Sequence, residues 1–135
     1  MPKFKVRERF SDPYFQVIHF GPPVNPPAQF AVGDVLLGDR PLRDPATGNQ
    51  VGTLTFRGTV IRAFPNGDQL FGVNAEHRLK LRNGTFAVQD SFLFSSAQST
   101  GAIVGGTGTF DKARGTVTRT VIDDNTVEFT YDYTP

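Results

Sequence analysis

Three consecutive runs, QVGTLTFRGTVIRAF (50–64), LFGVNAEHRLKLR (70–82) and TFAVQDSFLF (85–94), alternate apolar and polar residues with a period of two. That period belongs to a β-strand with one buried face, and an amphipathic helix cannot produce it. Asn66-Gly67 and Asn83-Gly84 separate the runs. Asn-Gly between alternating strands favours a two-residue hairpin, because both central residues then take positive φ. Under two-residue loops, His77 faces Asp90, Leu79 faces Val88, Leu54 faces Leu79, Phe56 faces His77, Val60 faces Val73 and Arg62 faces Phe71. Both turns give the same parity. One face collects Leu54, Phe56, Val60, Phe71, Val73, Leu79, Leu81, Phe86, Val88, Phe92 and Phe94. The other carries Thr55, Arg57, Glu76, Arg78, Lys80 and Gln89, with Arg57 opposite Glu76. The first face is the expected interior.

The rest of the chain follows the same rule. KFKVRERF (3–10), YFQVIHF (14–20), GDVLLGDRPL (a short strand ending at Pro41), AIVGGTGTF, GTVTRTVI and TVEFTYDY read as further strands. GPPVNPPAQF (21–30) is too rich in proline for a central strand, so residues 21–31 are expected as an irregular connection and not a helix. Thirteen Phe with no Trp, fourteen Gly and ten Pro suit an all-β chain with an aromatic interior. No linker or repeat divides it, so residues 1–135 read as a single domain. Eight to nine antiparallel strands in that length suit a closed barrel, which removes exposed edges.

The glycine-rich stretch IVGGTGTFDKARGTV (103–117) has two readings. A phosphate-cradling loop needs the glycines between a strand and a helix N-terminus. Here an alternating β-branched run follows, with no Lys-Ser or Lys-Thr pair. Glycines serving a bulge or bend in a strand fit better.

Other classes are limited by composition. No cysteine is present, which removes thiol catalysis and thiolate metal ligation; two histidines without metal-type spacing argue against a zinc or iron site. A net charge of +1 gives no nucleic-acid footprint, and no run suits a signal peptide or a membrane span. A cytoplasmic protein is the expectation.

Three polar side chains break the inward face: Arg62, His77 and Asp90. As direct cross-strand neighbours, His77 and Asp90 would have Cβ atoms about 5 Å apart. A carboxylate holding an imidazole fixes its tautomer and raises its basicity, so His77 is the candidate proton mover and Asp90 its orienter. The same pair could equally be structural, each residue satisfying the other. Arg62 lies near the Pro65–Asp68 turn, so it can reach solvent at the barrel mouth or bind an anion or carbonyl of the ligand. Tyr131 and Tyr133 share a face with Val127 and Phe129, as core or as phenols pointing into a pocket.

The segments VGDVLLGDRPL, QVGTLTFRG, AVQDSF, AIVGGTGTFDKARGTV and VEFTYDY occur in an order that resembles the allene oxide cyclase and dirigent superfamily, roughly from Val32 to Tyr133. The resemblance implies an eight-stranded antiparallel β-barrel of the calycin type, often trimeric, with a hydrophobic cavity and no metal or organic cofactor. It also implies steered ring closure or coupling of an apolar small molecule, in a microbial relative with its own substrate, from natural-product biosynthesis. A barrel that only orients a reactive intermediate, or one with a filled core, stays open beside that reading. In allene oxide cyclases the acid of the first strand would fall near Lys5, its neighbouring amide near Arg7, a cysteine at Gly58 and a pocket tyrosine near Phe92. The expected cavity wall comprises Leu54, Phe56, Val60, Arg62, Val73, Leu79, Val88, Phe92 and Tyr131. A homotrimer is the expected assembly.

Overall fold

A computed structural model describes residues 3–20, 30–80 and 83–134. The expected irregular connection at 21–29, and Leu81, lie outside the described residues. Nine strands form one antiparallel sheet: β1 (Lys3–Arg9), β2 (Phe15–Ile18), β3 (Val35–Arg43), β4 (Gln50–Ala63), β5 (Gln69–Leu79), β6 (Gly84–Leu93), β7 (Gln98–Gly108), β8 (Arg114–Asp123) and β9 (Thr126–Thr134). The order β1-β9-β8-β7-β6-β5-β4-β3 closes through a β1–β3 pairing into an eight-stranded barrel, and β2 is an extra strand on β3. This is the all-β barrel that the alternation implied.

Closure is uneven. β1 runs along β9 for seven residue pairs but meets β3 only at Arg7 and Arg43. Further up, residues 35–38 of β3 pair with β2 instead. There Arg40 of β3 crosses the gap with its side chain, donating from Nη1 to the Arg9 carbonyl at 2.9 Å.

Both Asn-Gly turns are longer than two residues. Pro65 precedes Asn66, and its fixed φ suits the second position of an ordinary β-turn. Accordingly Gly67 N donates to the Phe64 carbonyl, Phe64 N donates to the Asp68 carbonyl, and only Gly67 has positive φ, +88°. In the second turn Leu79 pairs with Gly84, and among the described residues of the turn Asn83 takes positive φ, +48°. Gly84 serves the sheet instead: a Cβ there would lie 2.7 Å from the Phe110 ring and 2.8 Å from the Thr107 carbonyl.

The second turn slides its ladder by four residues, and the first turn's one extra residue together with a bulge after Val60 slides the other by two, so the faces beyond the bulge survive while the partners change. His77 stands opposite Phe86, and Asp90 opposite Val73. Leu54 stands opposite His77, Phe56 opposite Ala75 and Val60 opposite Phe71. On the outer face Arg57 meets Asn74, and Glu76 meets Thr55. Past Val60 the register shifts by one, so that Arg62 pairs with Leu70. That bulge turns Arg62 out of the barrel, where its guanidinium lies 4.9 Å over the Phe64 ring.

One end of the barrel is plugged by aromatic side chains. Phe86 stacks on Phe110 with centroids 3.9 Å apart, Phe4 stacks on Tyr131 at 4.6 Å, and Tyr133 meets Phe86 edge-on. β7 carries a register shift between its pairings of Ile103 with Val88 and Gly105 with Ala87, leaving Val104 bulged. The glycines therefore serve a kinked strand and, at Gly108 with φ +60°, the turn that follows.

Candidate active site

Above the aromatic plug the barrel encloses a cavity of about 740 Å³, within the range of small-molecule pockets. Its walls are dominated by phenylalanine: Phe10, Phe15, Phe30, Phe56, Phe71, Phe92, Phe94 and Phe129. Leu54, Phe56, Val73, His77, Val88, Asp90 and Phe92 all face it. Three other expected wall residues do not. Val60 is fully buried beside Leu36 and Phe71, Leu79 sits in the core below, and Tyr131 is buried in the plug. Arg62, turned outward by the bulge, is exposed and also not part of the wall.

His77 and Asp90 are not a pair. Four residues of strand separate Asp90 from the residue opposite His77, a rise of about 13 Å. Asp90 accepts from Ser99 Oγ at 2.9 Å through Oδ2, while Oδ1 is buried without a hydrogen bond. Burial pushes its carboxyl upward, against the lowering effects of Ser99, the Ser91 backbone and Arg119. His77 has a different partner, the Tyr131 hydroxyl, 2.5 Å from Nδ1. The imidazole is 2% exposed and edge-on to Phe129. Burial lowers its pKa from 6.5 to about 3, so the ring is neutral at pH 7. The buried Tyr131 hydroxyl has Nδ1 as its hydrogen-bond partner among the described residues. The arrangement that wastes no donor has Tyr131 O–H donating to Nδ1, which puts the ring proton on Nε2. His77 is then a neutral donor at the cavity wall, not a base raised by a carboxylate.

The strongest acid–base candidate comes from β1. Phe4, Val6, Glu8 and Phe10 share one face by simple alternation, and Glu8 is 5% exposed and faces the cavity. Its Oε2 lies 3.5 Å from Arg40 Nε, within ion-pair reach, yet that nitrogen makes no hydrogen bond. Burial raises the Glu8 pKa from 4.5 to about 7; Arg40 and Arg119 oppose the rise and Asp12 adds to it. Arg119 of β8 faces the same cavity. All three charges were visible as exceptions to a period-two pattern: Glu8 after Phe4 and Val6, Arg40 between Leu36 and Leu42, Arg119 between Val117 and Val121. Among the described residues, no group of three or more His, Cys, Asp or Glu side chains is placed to hold a metal ion. No helix among them is long and apolar enough to cross a membrane.

A closed antiparallel barrel whose phenylalanine-walled cavity holds a buried Glu8 and Arg40 and a half-buried Asp90 and Arg119 is the class of protein that fold and site define. The chain belongs to the dirigent-like protein family, whose sequence profile matches residues 7–134. Among solved structures, pyocyanin demethylase superposes with a TM-score of 0.77 at 20% identity, covering 98% of this chain and 100% of its own. Two pterocarpan synthase dirigent proteins superpose with TM-scores of 0.77 and 0.80 at 19% identity. Both span 96% of this chain, and 81% and 91% of their own. At such identities the likeness is one of fold. No curated protein matches by sequence.

Proposed function

We propose that this barrel is an isomerase or cyclase that binds an apolar small molecule in its cavity and steers an intramolecular ring closure, with Glu8 as proton donor. The observation that carries the reading is a carboxyl buried in an apolar cavity and raised to about 7, so that it holds a proton near neutral pH. His77 adds a neutral hydrogen-bond donor for a carbonyl or ether oxygen, and the phenylalanine walls restrict how the substrate folds before it reacts. The structural neighbours are named as pyocyanin demethylase and as pterocarpan synthases, which supports small-molecule chemistry for a barrel of this fold. A role in natural-product biosynthesis and a homotrimeric assembly belong to the same proposal, on the family resemblance.

A second reading is supported by the walls themselves. Eight phenylalanines around one cavity could orient a reactive intermediate without moving a proton. Turnover of a panel of ring-closing precursors by Glu8→Gln separates the two. Proton transfer by Glu8 requires a loss of about a hundredfold to ten-thousandfold with binding retained. Turnover within about threefold of the unaltered protein would leave the orienting barrel in its place.

A further inference from the structure

Four acids, Glu8, Asp90, Asp123 and Asp124, and two arginines, Arg40 and Arg119, line the cavity, and the two arginines are held very differently. Glu8 is beside Arg40, and Arg40 is further tied to the Arg9 carbonyl and lies 5.0 Å over the Phe15 ring. Asp90 is held by Ser99 across the β6–β7 ladder. Arg119 has no such tie. Its guanidinium lies 4.5 Å over the Phe92 ring, and among the described residues it makes no hydrogen bond and no ion pair. Glu8 and Asp90 act on it only through longer-range attraction. Its nitrogens are not sealed in protein either, since none is a buried atom lacking a partner, as Arg40 Nε is.

A partly buried cation with no directly bonded counter-charge costs free energy unless something supplies one. Arg119 is also well built to receive it. Its cross-strand neighbours are Ser99 and Phe129, so it stands on a rigid strand between a fixed hydroxyl and the aromatic wall. The cation–π contact with Phe92, 4.5 Å from guanidinium carbon to ring centroid, positions the group while leaving its N–H donors available.

We propose that Arg119 is the specificity-determining anchor of the cavity and takes a negatively charged oxygen carried by an otherwise apolar, ring-bearing ligand. A carboxylate and a phenolate or enolate share that chemistry. A ligand bound this way lies with its anionic end at β8 and its apolar body against Phe56, Phe71 and Phe92, in the same cavity as Glu8. The inference rests on the reading of this cavity as a small-molecule site, but not on any proton transfer by Glu8.

Two matched probe pairs test it by fluorescence or calorimetric titration at pH 8: 2-naphthoate against 2-naphthamide, and 4-nitrophenolate against 4-nitroanisole. The expected result is at least a tenfold preference for the anion in one pair, and which pair shows it tells carboxylate from phenolate. Arg119→Met, which keeps the stem on Phe92, should reduce that preference below threefold while leaving the neutral partner bound as before. Arg119→Lys, which keeps charge but not the planar fork, should retain part of it. Equal binding of anion and neutral partner in both pairs by the unaltered protein overturns the anchor and leaves the cavity reading standing. A preference that survives Arg119→Met overturns the anchor as well. Failure of every probe to bind at millimolar concentration overturns the anchor and the cavity reading together.

Discussion

His77 Nδ1 lies 2.5 Å from the hydroxyl of Tyr131, a residue 54 positions further along the chain on β9. The bond joins the cavity wall to the aromatic plug beneath it, because His77 faces the cavity whereas Tyr131 stacks on Phe4 and Phe86. Tyr131→Phe keeps the ring stacking and strands one buried nitrogen, which should cost about 1–3 kcal/mol of stability. Urea unfolding of Tyr131→Phe, His77→Leu and the double variant should give a coupling of at least about 0.5 kcal/mol. Strictly additive losses would mean that the bond contributes nothing.

Two buried groups shift in opposite directions, with a visible consequence for stability. Glu8 is raised from 4.5 to about 7, so the folded protein holds the extra proton between those values, and stability falls as pH rises through that window. His77 is lowered from 6.5 to about 3, so the unfolded chain holds the extra proton, and stability rises with pH from about 3 to 6.5. The two slopes cancel between about 4.5 and 6.5, where these two groups together leave a plateau. Glu8→Gln should unmask a rise with pH across that plateau, and His77→Leu a fall. Measured by urea unfolding at several pH values against the unaltered protein, parallel curves for all three proteins would contradict both shifts.

Much of this was legible in the sequence, for reasons that particular residues make clear. Alternation fixed which side chains point inward, and a ladder that slips by two or four residues keeps that assignment, so Leu54, Phe56, Val73, His77, Val88, Asp90 and Phe92 reach the cavity. Pairing was less legible, because it depends on turn length. Pro65 before Asn66 and the close packing of Gly84 against Phe110 both override the two-residue hairpin. The pairing of His77 with Asp90 was lost with it. Arg62 was misplaced because a bulge adds one residue and reverses the parity, and no local signal in TVIRAF marks it. Glu8, Arg40 and Arg119 sat on apolar parities in plain view. They were missed because a charge in an alternating run is ordinarily solvated, and only closure of the barrel shows that these three are not.

The glycine pair of β7 offers a controlled comparison. A Cβ on Gly106 would lie 2.3 Å from the Phe110 carbonyl oxygen and 2.6 Å from that of Thr85, both backbone atoms that cannot move aside. A Cβ on Gly105 would meet nothing within 4 Å. Gly106→Ala should therefore lose about 1–3 kcal/mol, in the range of overpacked sites, and Gly105→Ala should stay within about 0.5 kcal/mol of the unaltered protein. Equal unfolding midpoints for the two variants would count against the packing of the β7–β8 turn on β6.

The sharpest expectation concerns the pH dependence of turnover. As proton donor, Glu8 works in its protonated form, so the rate should follow the protonated fraction and fall as pH rises through about 7. A general base at this position would give the opposite slope. His77 adds no limb above pH 5, since its ring is already neutral there. Glu8→Asp keeps an acid but withdraws it by one methylene, and should retain a falling limb at reduced rate. Removing Arg40 as Arg40→Met takes away a cation that holds the Glu8 pKa down, so the limb should move to higher pH, and the same substitution also frees the Arg9 carbonyl. Only the first of these effects displaces the limb; a purely structural loss would lower the rate at every pH equally. A profile that rises through pH 7, or a limb unmoved in Arg40→Met, would remove Glu8 from the role of acid.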